Sequence, residues 1–129
     1  IYPELHYGRD ALVGLALFLS YLAEFDKPVS YLRRSYPNYS ISKNKILLTP
    51  DLDLEYLFSE LKKQYHREQL NETDGLKIDL EVGWIHLRKS NTEPIIRIYT
   101  EGDSQVIAEN LATKIKADIQ DILRNTPAG

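Results

Sequence analysis

Three short apolar runs follow one another closely in the second half of the chain, and they constrain the fold more than any other feature. Residues Leu76–Val82 alternate strictly between apolar and polar side chains, which is the pattern of a strand with one buried face. A second run, Trp84–Lys89, starts directly after Gly83, and a third, Ile95–Glu101, starts after a short polar segment. Strands this close in sequence have room only for hairpin connections, so we expect antiparallel pairing.

Helical patterns lie on both sides of these runs. A strand over 39–49 is followed by a helix that starts at Pro50–Asp51, and a last helix starts at Gly102–Asp103. The order from residue 35 onward is therefore strand, helix, three strands, helix. This order predicts an α+β domain in which helices cover one face of an antiparallel four-stranded sheet. The apolar stripe of the last helix has members four residues apart: Ile107, Leu111, Ile115, Ile119 and Leu123.

The first 34 residues are predicted to be mainly helical. Asp10 can cap a helix whose run Ala11–Ala23 is apolar over most of its circumference, and such a helix is normally buried on more than one side. A short second helix is predicted over 28–34, with Asp26 as its N-cap. Because Tyr36–Asn38 breaks the pattern, we place a boundary there, between a helical arm (1–34) and a domain (35–129).

The composition excludes several classes of protein. Hydrophobic residues make up 43% and charged residues 27%, as in a folded globular domain. The net charge of -3 gives no overall basic field for nucleic acid or an anionic membrane, so any anion site must be local. Cysteine is absent, which excludes disulfides and thiolate chemistry and fits the cytoplasm. Methionine is also absent, so we expect the chain to be a piece of a longer protein.

The segment Arg88–Pro94 concentrates groups that bind anions. It contains a guanidinium, an ammonium, two hydroxyls and a carboxamide within five consecutive residues. Arg88 offers a planar fork that can meet two phosphate oxygens at once, and the neutral side chains and backbone N–H groups can add donors. Serine, asparagine, threonine and proline also form ordinary hairpin turns. From the residues alone, the loop is either a phosphate site or such a turn.

Other candidate sites have weaker patterns. Asp51, Asp53 and Glu55 are spaced at two, but the glycine of a calcium loop is missing and acidic residues favour a helix start. The three histidines stand singly, without ligand spacing, so we predict no metal site. His86 shares a strand face with Arg88 and could border a phosphate. The nine tyrosines are better explained by packing between domains than by stacking on nucleic acid bases.

Arg88–Pro94 followed by Ile96–Arg97 resembles the phosphate-binding loop of the α-D-phosphohexomutases, the superfamily of phosphoglucomutase, phosphomannomutase and phosphoglucosamine mutase. The strand residues Asp74–Ile78 and the arm residues Gly8–Ala11 also resemble that superfamily, so the resemblance covers nearly the whole chain. It implies a C-terminal domain with a fold like that of the TATA-binding protein, preceded by the end of a sugar-binding third domain. The substrate-phosphate ligands that it implies are Arg88, Ser90, Asn91 and Thr92, with Arg97 as a further candidate.

The resemblance also implies an activity. Its members move a phosphoryl group between the C1 and C6 hydroxyls of a hexose, through a sugar bisphosphate and an active-site phosphoserine. Neither the phosphoserine loop nor the magnesium loop of the superfamily is present here, so we expect no catalytic residue, Mg²⁺ only in the parent enzyme, and no activity of this chain alone. The expected partners are a hexose phosphate (glucosamine or mannose first, then glucose) and the other domains. The alternative is a non-catalytic α+β module that binds protein.

Overall fold

The computed structural model describes residues 1–48 and 53–125. The chain divides into two compact units, Ile1–Pro37 and Asn38–Gly129. The predicted helix start at Pro50–Asp51, the predicted end of the first strand at Thr49 and the C-terminal tail from residue 126 lie outside the described residues.

The first unit contains two helices, α1 (Ala11–Phe25) and α2 (Val29–Ser35). The predicted cap of α1 is confirmed, because Asp10 Oδ1 accepts hydrogen bonds from the N–H groups of Leu12 and Val13 at 2.9 and 3.0 Å. None of the residues of α1 is buried. Within the described ranges, no helix combines the length and the apolar character that crossing a membrane requires.

The prediction that Asp26 caps the second helix is wrong. Asp26 instead ends α1 in the left-handed conformation, with φ at 49°, and its N–H donates to Leu22 O. Aspartate tolerates this conformation better than most residues do, which suits it to a C-cap. The N-cap of α2 is Pro28, whose side chain makes no capping hydrogen bond.

The second unit holds a single sheet and two helices. Its last helix begins at Gln105, two or three residues after the predicted start at Gly102–Asp103. At the start of this helix, the hydroxyl of Ser104 accepts a hydrogen bond from Ile107 N at 3.3 Å. Its elements, in chain order, are β1 (Ser40–Leu47), α3 (Leu54–Gln64), β2 (Gln69–Asn71), β3 (Leu76–Leu80), β4 (Gly83–Lys89), β5 (Ile95–Gly102) and α4 (Gln105–Asn125).

The sheet among the described residues has five strands in the order β1-β5-β4-β3-β2, and every neighbouring pair is antiparallel. The predicted α+β class and antiparallel pairing are confirmed, whereas the predicted count of four strands is wrong by one. The missed strand, β2, lies at the edge and pairs with β3 around Leu70 and Ile78. A strand of three residues is too short to show a period of two in the sequence.

Alternation along the strands buries one face of this sheet. Ile85 and Leu87 of β4 and Ile96 and Ile98 of β5 are fully buried on that face, together with Leu57 of α3. Helix α4 packs against β1, β4 and β5, and α3 packs against α4. The predicted stripe of α4 therefore points into the core, which is where most of the apolar area of this unit is removed from water. The alternate positions form what we call the open face of the sheet. It carries the apolar residues Ile41, Leu47 and Ile95, and its charged and aromatic residues are Lys43, Lys45, Lys77, Asp79, Trp84, His86, Arg88, Arg97, Tyr99 and Glu101.

A polar cluster joins α3 to α4 at the edge of the core. Tyr65 Oη donates to Asp118 Oδ2 at 2.5 Å, and Lys114 Nζ donates to both groups. Burial disfavours the charged form of Asp118, but the hydrogen bonds from Tyr65 and Lys114 outweigh that effect, so the pKa of Asp118 is lowered. A carboxyl group whose pKa is lower in the folded state stabilises that state above its unfolded pKa.

We expect Asp118→Asn to lower the unfolding free energy by about 1 kcal/mol at neutral pH, because the charge-assisted hydrogen bonds weaken. The difference from the unaltered chain should shrink below about pH 4, since Asp118 itself becomes protonated there. Urea unfolding followed by the fluorescence of Trp84, the only tryptophan, measures the unfolding free energy of the second unit at each pH.

The matched control is Asp121→Asn on the same helix. Asp121 pairs with Arg124 at 3.5 Å, but both side chains are about two thirds or more exposed, so little stability should be lost. Equal losses for the two variants, or a loss for Asp118→Asn that persists unchanged at pH 3, would show that the cluster does not stabilise the fold in this way.

Candidate functional site

A cavity of about 180 Å³, open to solvent, lies where β4 runs into the loop before β5. The structure brings together at this cavity all five residues that the sequence singled out as phosphate ligands, and it adds Lys89. Arg88 and Lys89 come from the end of β4, the next three residues from the loop, and the last from β5. The lining residues are Arg88, Lys89, Ser90, Asn91, Thr92 and Arg97.

Ser90 organises the loop from inside. It is the buried member of the set, with 6% of its surface exposed, whereas Asn91 and Thr92 are exposed. Its Oγ accepts from Thr92 N and from Arg97 Nη2, both at 3.4 Å. Its own O–H proton remains for Thr92 Oγ1, 3.5 Å away, or for a ligand in the cavity. The hydroxyl of Ser90 thus connects the loop to β5 through hydrogen bonds.

Backbone hydrogen bonds fix the two ends of the loop. Ser90 N donates to Ile95 O at 3.0 Å, which closes the β4–β5 connection, and Leu48 N donates to Pro94 O at 2.8 Å. Ser90 N and Thr92 N both have partners within the protein, so these two backbone N–H groups are not free to bind a ligand. The remaining donors of the loop are its side chains and the N–H of Asn91.

Cations face one another across the open face beside the cavity. Arg88 of β4 lies directly opposite Arg97 of β5, and Arg97 lies directly opposite Lys45 of β1. Like charges at directly opposed positions repel and destabilise a sheet. This row of three cations, in a chain whose net charge is -3, makes the region locally attractive to an anion.

Two carboxylates partly compensate this repulsion. Asp74 Oδ1 lies 3.1 Å from Arg88 Nε, and Glu93 Oε2 lies 3.7 Å from Arg97 Nη2. All four side chains are roughly half exposed, so each pair contributes little to the stability of the fold, about 0–1 kcal/mol. The two ion pairs instead influence the positions of the guanidinium groups of Arg88 and Arg97.

The turn between β2 and β3 brings Asp74 to Arg88. Gly75 has a φ of +81°, and a Cβ on it would lie 2.1 Å from Leu87 O and 3.2 Å from the Cα of Arg88. The backbone of the turn therefore touches β4 at a distance that only glycine permits. His86 Nε2 donates to Asp74 O at 2.6 Å, so His86 contacts this turn and is not among the residues that line the cavity.

Sequence reasoning missed the contact between Asp74 and Arg88, although it had noted both residues. The contact depends on the register of the β3–β4 hairpin, in which Leu76 pairs with Leu87 and so brings the preceding turn beside Arg88. Lys45 was missed for the same reason, because only the register of β1 with β5 sets it opposite Arg97. In the part of the chain that the structure describes, no group of three or more histidine, aspartate or glutamate side chains could hold a metal ion.

Comparison with known proteins identifies relatives of this chain. The family model of the phosphoglucomutase/phosphomannomutase C-terminal domain matches residues 50–118, a range that contains the whole cavity. A phosphoglucosamine/phosphogalactosamine mutase of Sulfurisphaera tokodaii is 33% identical over 122 residues, which is 93% of this chain and 27% of that protein.

Two further relatives come from other organisms. A probable phosphoglucosamine mutase of Methanopyrus kandleri is 29% identical over 125 residues, which is 96% of this chain and 27% of that protein. A phosphoglucomutase/phosphomannomutase of Thermococcus kodakarensis is 35% identical over 108 residues, which is 81% of this chain and 23% of that protein. The chain thus spans about a quarter of the length of these relatives.

We expect Gly75→Ala to destabilise the second unit by about 1–3 kcal/mol, because the added Cβ meets the backbone of β4 and strains a positive φ. Urea unfolding detected at Trp84 measures the loss. Gly14→Ala is the control, since a Cβ there meets nothing within 4 Å. Unchanged stability of Gly75→Ala would mean that the turn does not lie against β4 as described.

Proposed function

The chain belongs to the phosphoglucomutase/phosphomannomutase family, and we propose that its second unit binds the phosphate group of a hexose phosphate for a longer enzyme of that family. One observation carries the proposal. A single cavity collects two arginines, a lysine, two hydroxyls and a carboxamide, and these are the donor types that a phosphate requires.

The electrostatics of the sheet support the same ligand. Arg88, Arg97 and Lys45 repel one another across adjacent strands, and a bound dianion would relieve that repulsion. The hydroxyls and the carboxamide are neutral donors, which can complete the shell of a phosphate without adding charge. The site therefore selects for a phosphate more than for any particular sugar.

In the longer enzyme, this unit holds the phosphate that does not react. Binding energy from such a remote group orients the sugar at the reacting end and so lowers the barrier to phosphoryl transfer. The sugar must turn over between the two half-reactions, so the loop must accept the phosphate of either end. A site that recognises phosphate rather than sugar meets this requirement.

The other functions of the longer enzyme belong to parts outside this unit. The catalytic serine, the magnesium ion and the choice of sugar belong to other domains, and the chain alone is inactive. Among hexose phosphates we rank glucosamine and mannose phosphates before glucose phosphate, in agreement with the names of the relatives. We assign residues 1–34, whose helix α1 leaves large apolar side chains such as Leu12 exposed, to the end of the preceding domain of a cytoplasmic enzyme.

A non-catalytic interaction module is the alternative, and the exposure of α1 is the observation that favours it. Leu12, Leu15 and Leu19 are each more than half exposed, and so is Tyr31. In this alternative, that apolar and aromatic surface binds another protein, and the polar loop after β4 is an ordinary turn.

Titration of the ¹⁵N-labelled chain with inorganic phosphate tests the two proposals. We expect amide shifts concentrated at residues 88–92 and 97, with an affinity that falls as ionic strength rises. Arg88→Ala should weaken binding by about tenfold or more, because charge-assisted hydrogen bonds to the phosphate are lost.

Arg124→Ala is the matched control, since it removes the same charge from α4, outside the cavity. It should leave the phosphate affinity nearly unchanged, and both variants should keep the dispersed spectrum of the folded chain. Phosphate-binding function is excluded if the amides of 88–92 do not respond. A response of the residues around Tyr31–Tyr39 to a protein partner, with a silent loop, would instead support the interaction module.

A further inference from the structure

The contact of Asp74 with Arg88 occupies one particular side of the guanidinium. Asp74 Oδ1 lies beside Nε, the nitrogen nearest the side-chain stem. A carboxylate on that side leaves the two terminal amino groups of Arg88 available for another ligand, and a guanidinium binds phosphate best through two parallel N–H groups. Arg88 also lines the cavity, so its terminal amino groups remain free to bind an anion there.

The position of the Asp74 backbone does not depend on the ion pair. The carbonyl oxygen of Asp74 accepts from His86 Nε2 at 2.6 Å, and the next residue, Gly75, is in close backbone contact with Leu87. His86 and Leu87 are the two residues that precede Arg88 on β4. The turn is therefore fastened to the same stretch of strand that carries Arg88, and these backbone contacts keep Asp74 within reach of that side chain.

Arg88 needs such a restraint because of its neighbour. It lies directly opposite Arg97, and repulsion between the two guanidinium groups favours conformations in which Arg88 turns away towards solvent. An arginine side chain also loses considerable rotamer freedom when it is fixed in one position. The attraction of a nearby carboxylate offsets both effects before any ligand arrives, which lowers the cost of binding.

We infer that Asp74 is a positioning residue, which holds the guanidinium of Arg88 in the orientation that receives the phosphate. This inference rests on the proposed function of the cavity. Glu93 has a different relation to the site, because it lies in the loop itself and contacts Arg97 from 3.7 Å. Its carboxylate lowers the positive charge of Arg97 without lining the cavity.

Orientation of Arg88 by Asp74 and simple electrostatics predict changes of opposite sign in phosphate affinity when Asp74 is removed. If Asp74 only reduced the positive charge of the site, its removal would make phosphate bind more tightly. If it orients Arg88, its removal weakens binding, because Arg88 must then be ordered by the ligand. Glu93→Gln supplies the reference for a pure charge effect, since it removes a carboxylate from the other arginine of the same cavity.

The experiment is a titration of the 129-residue chain and its variants with inorganic phosphate, followed by NMR. We expect Asp74→Ala to raise the dissociation constant about threefold, whereas Glu93→Gln lowers it by about twofold. Asp74→Asn should recover part of the loss, because its amide oxygen keeps a partial negative charge beside Nε. Binding by Asp74→Ala and Asp74→Asn that is as tight as in the unaltered chain, or tighter, overturns the inference.

A second measurement needs no ligand. The Nε–Hε signal of Arg88 should stand apart from those of exposed arginines in the unaltered chain, move towards them in Asp74→Ala, and stay in place in Glu93→Gln. An Arg88 signal that is the same with and without Asp74 also overturns the inference.

Failure of phosphate binding and failure of the role of Asp74 give different results. If the unaltered chain does not bind phosphate at residues 88–92, the proposed function fails, and the role of Asp74 fails with it. If the unaltered chain binds there but Asp74→Ala does not weaken binding, only the role of Asp74 fails. Asp74→Ala should remain folded, because the exposed ion pair contributes little stability and the backbone contacts of the turn are unaffected.

Discussion

The register between β4 and β5 is the constraint on which the rest of the second unit depends. It pairs Leu87 with Ile98 on the face covered by the helices, and it therefore also pairs Arg88 with Arg97 on the open face. A shift by one residue would bury the arginines and expose the core, so burial of the apolar face determines which charges meet. The site is thus a consequence of the core: the free energy gained by burying one face holds like charges together on the other.

The proximity of Arg88 and Arg97 explains why acidic residues lie beside them. Two guanidinium groups on adjacent strands are tolerated because a carboxylate lies beside each, Asp74 at Arg88 and Glu93 at Arg97. The loop between the strands is held by Ser90, whose hydroxyl accepts from Arg97 and from the backbone of Thr92. The cavity is therefore preorganised by contacts that exist without a ligand, which is the usual requirement for a site that binds through orientation.

Much of this could be predicted from the sequence, and the failures have physical reasons. The strands β3, β4 and β5 were predicted because alternation and turn residues are local signals. The edge strand β2 was missed because three residues cannot show a period, and Asp26 was misassigned because one aspartate can end a helix as well as begin one. The contact between Asp74 and Arg88 required the register of a hairpin, which no local pattern specifies.

The central claim is that the cavity recognises a phosphate group and not the sugar that carries it. The most direct test compares the binding of glucosamine 1-phosphate, glucosamine 6-phosphate, inorganic phosphate and glucosamine to the same chain by NMR titration. The account predicts that the three phosphates bind within about threefold of one another at residues 88–92 and that glucosamine does not bind. Binding of glucosamine itself, or a preference of more than about tenfold between the two sugar phosphates, would contradict it.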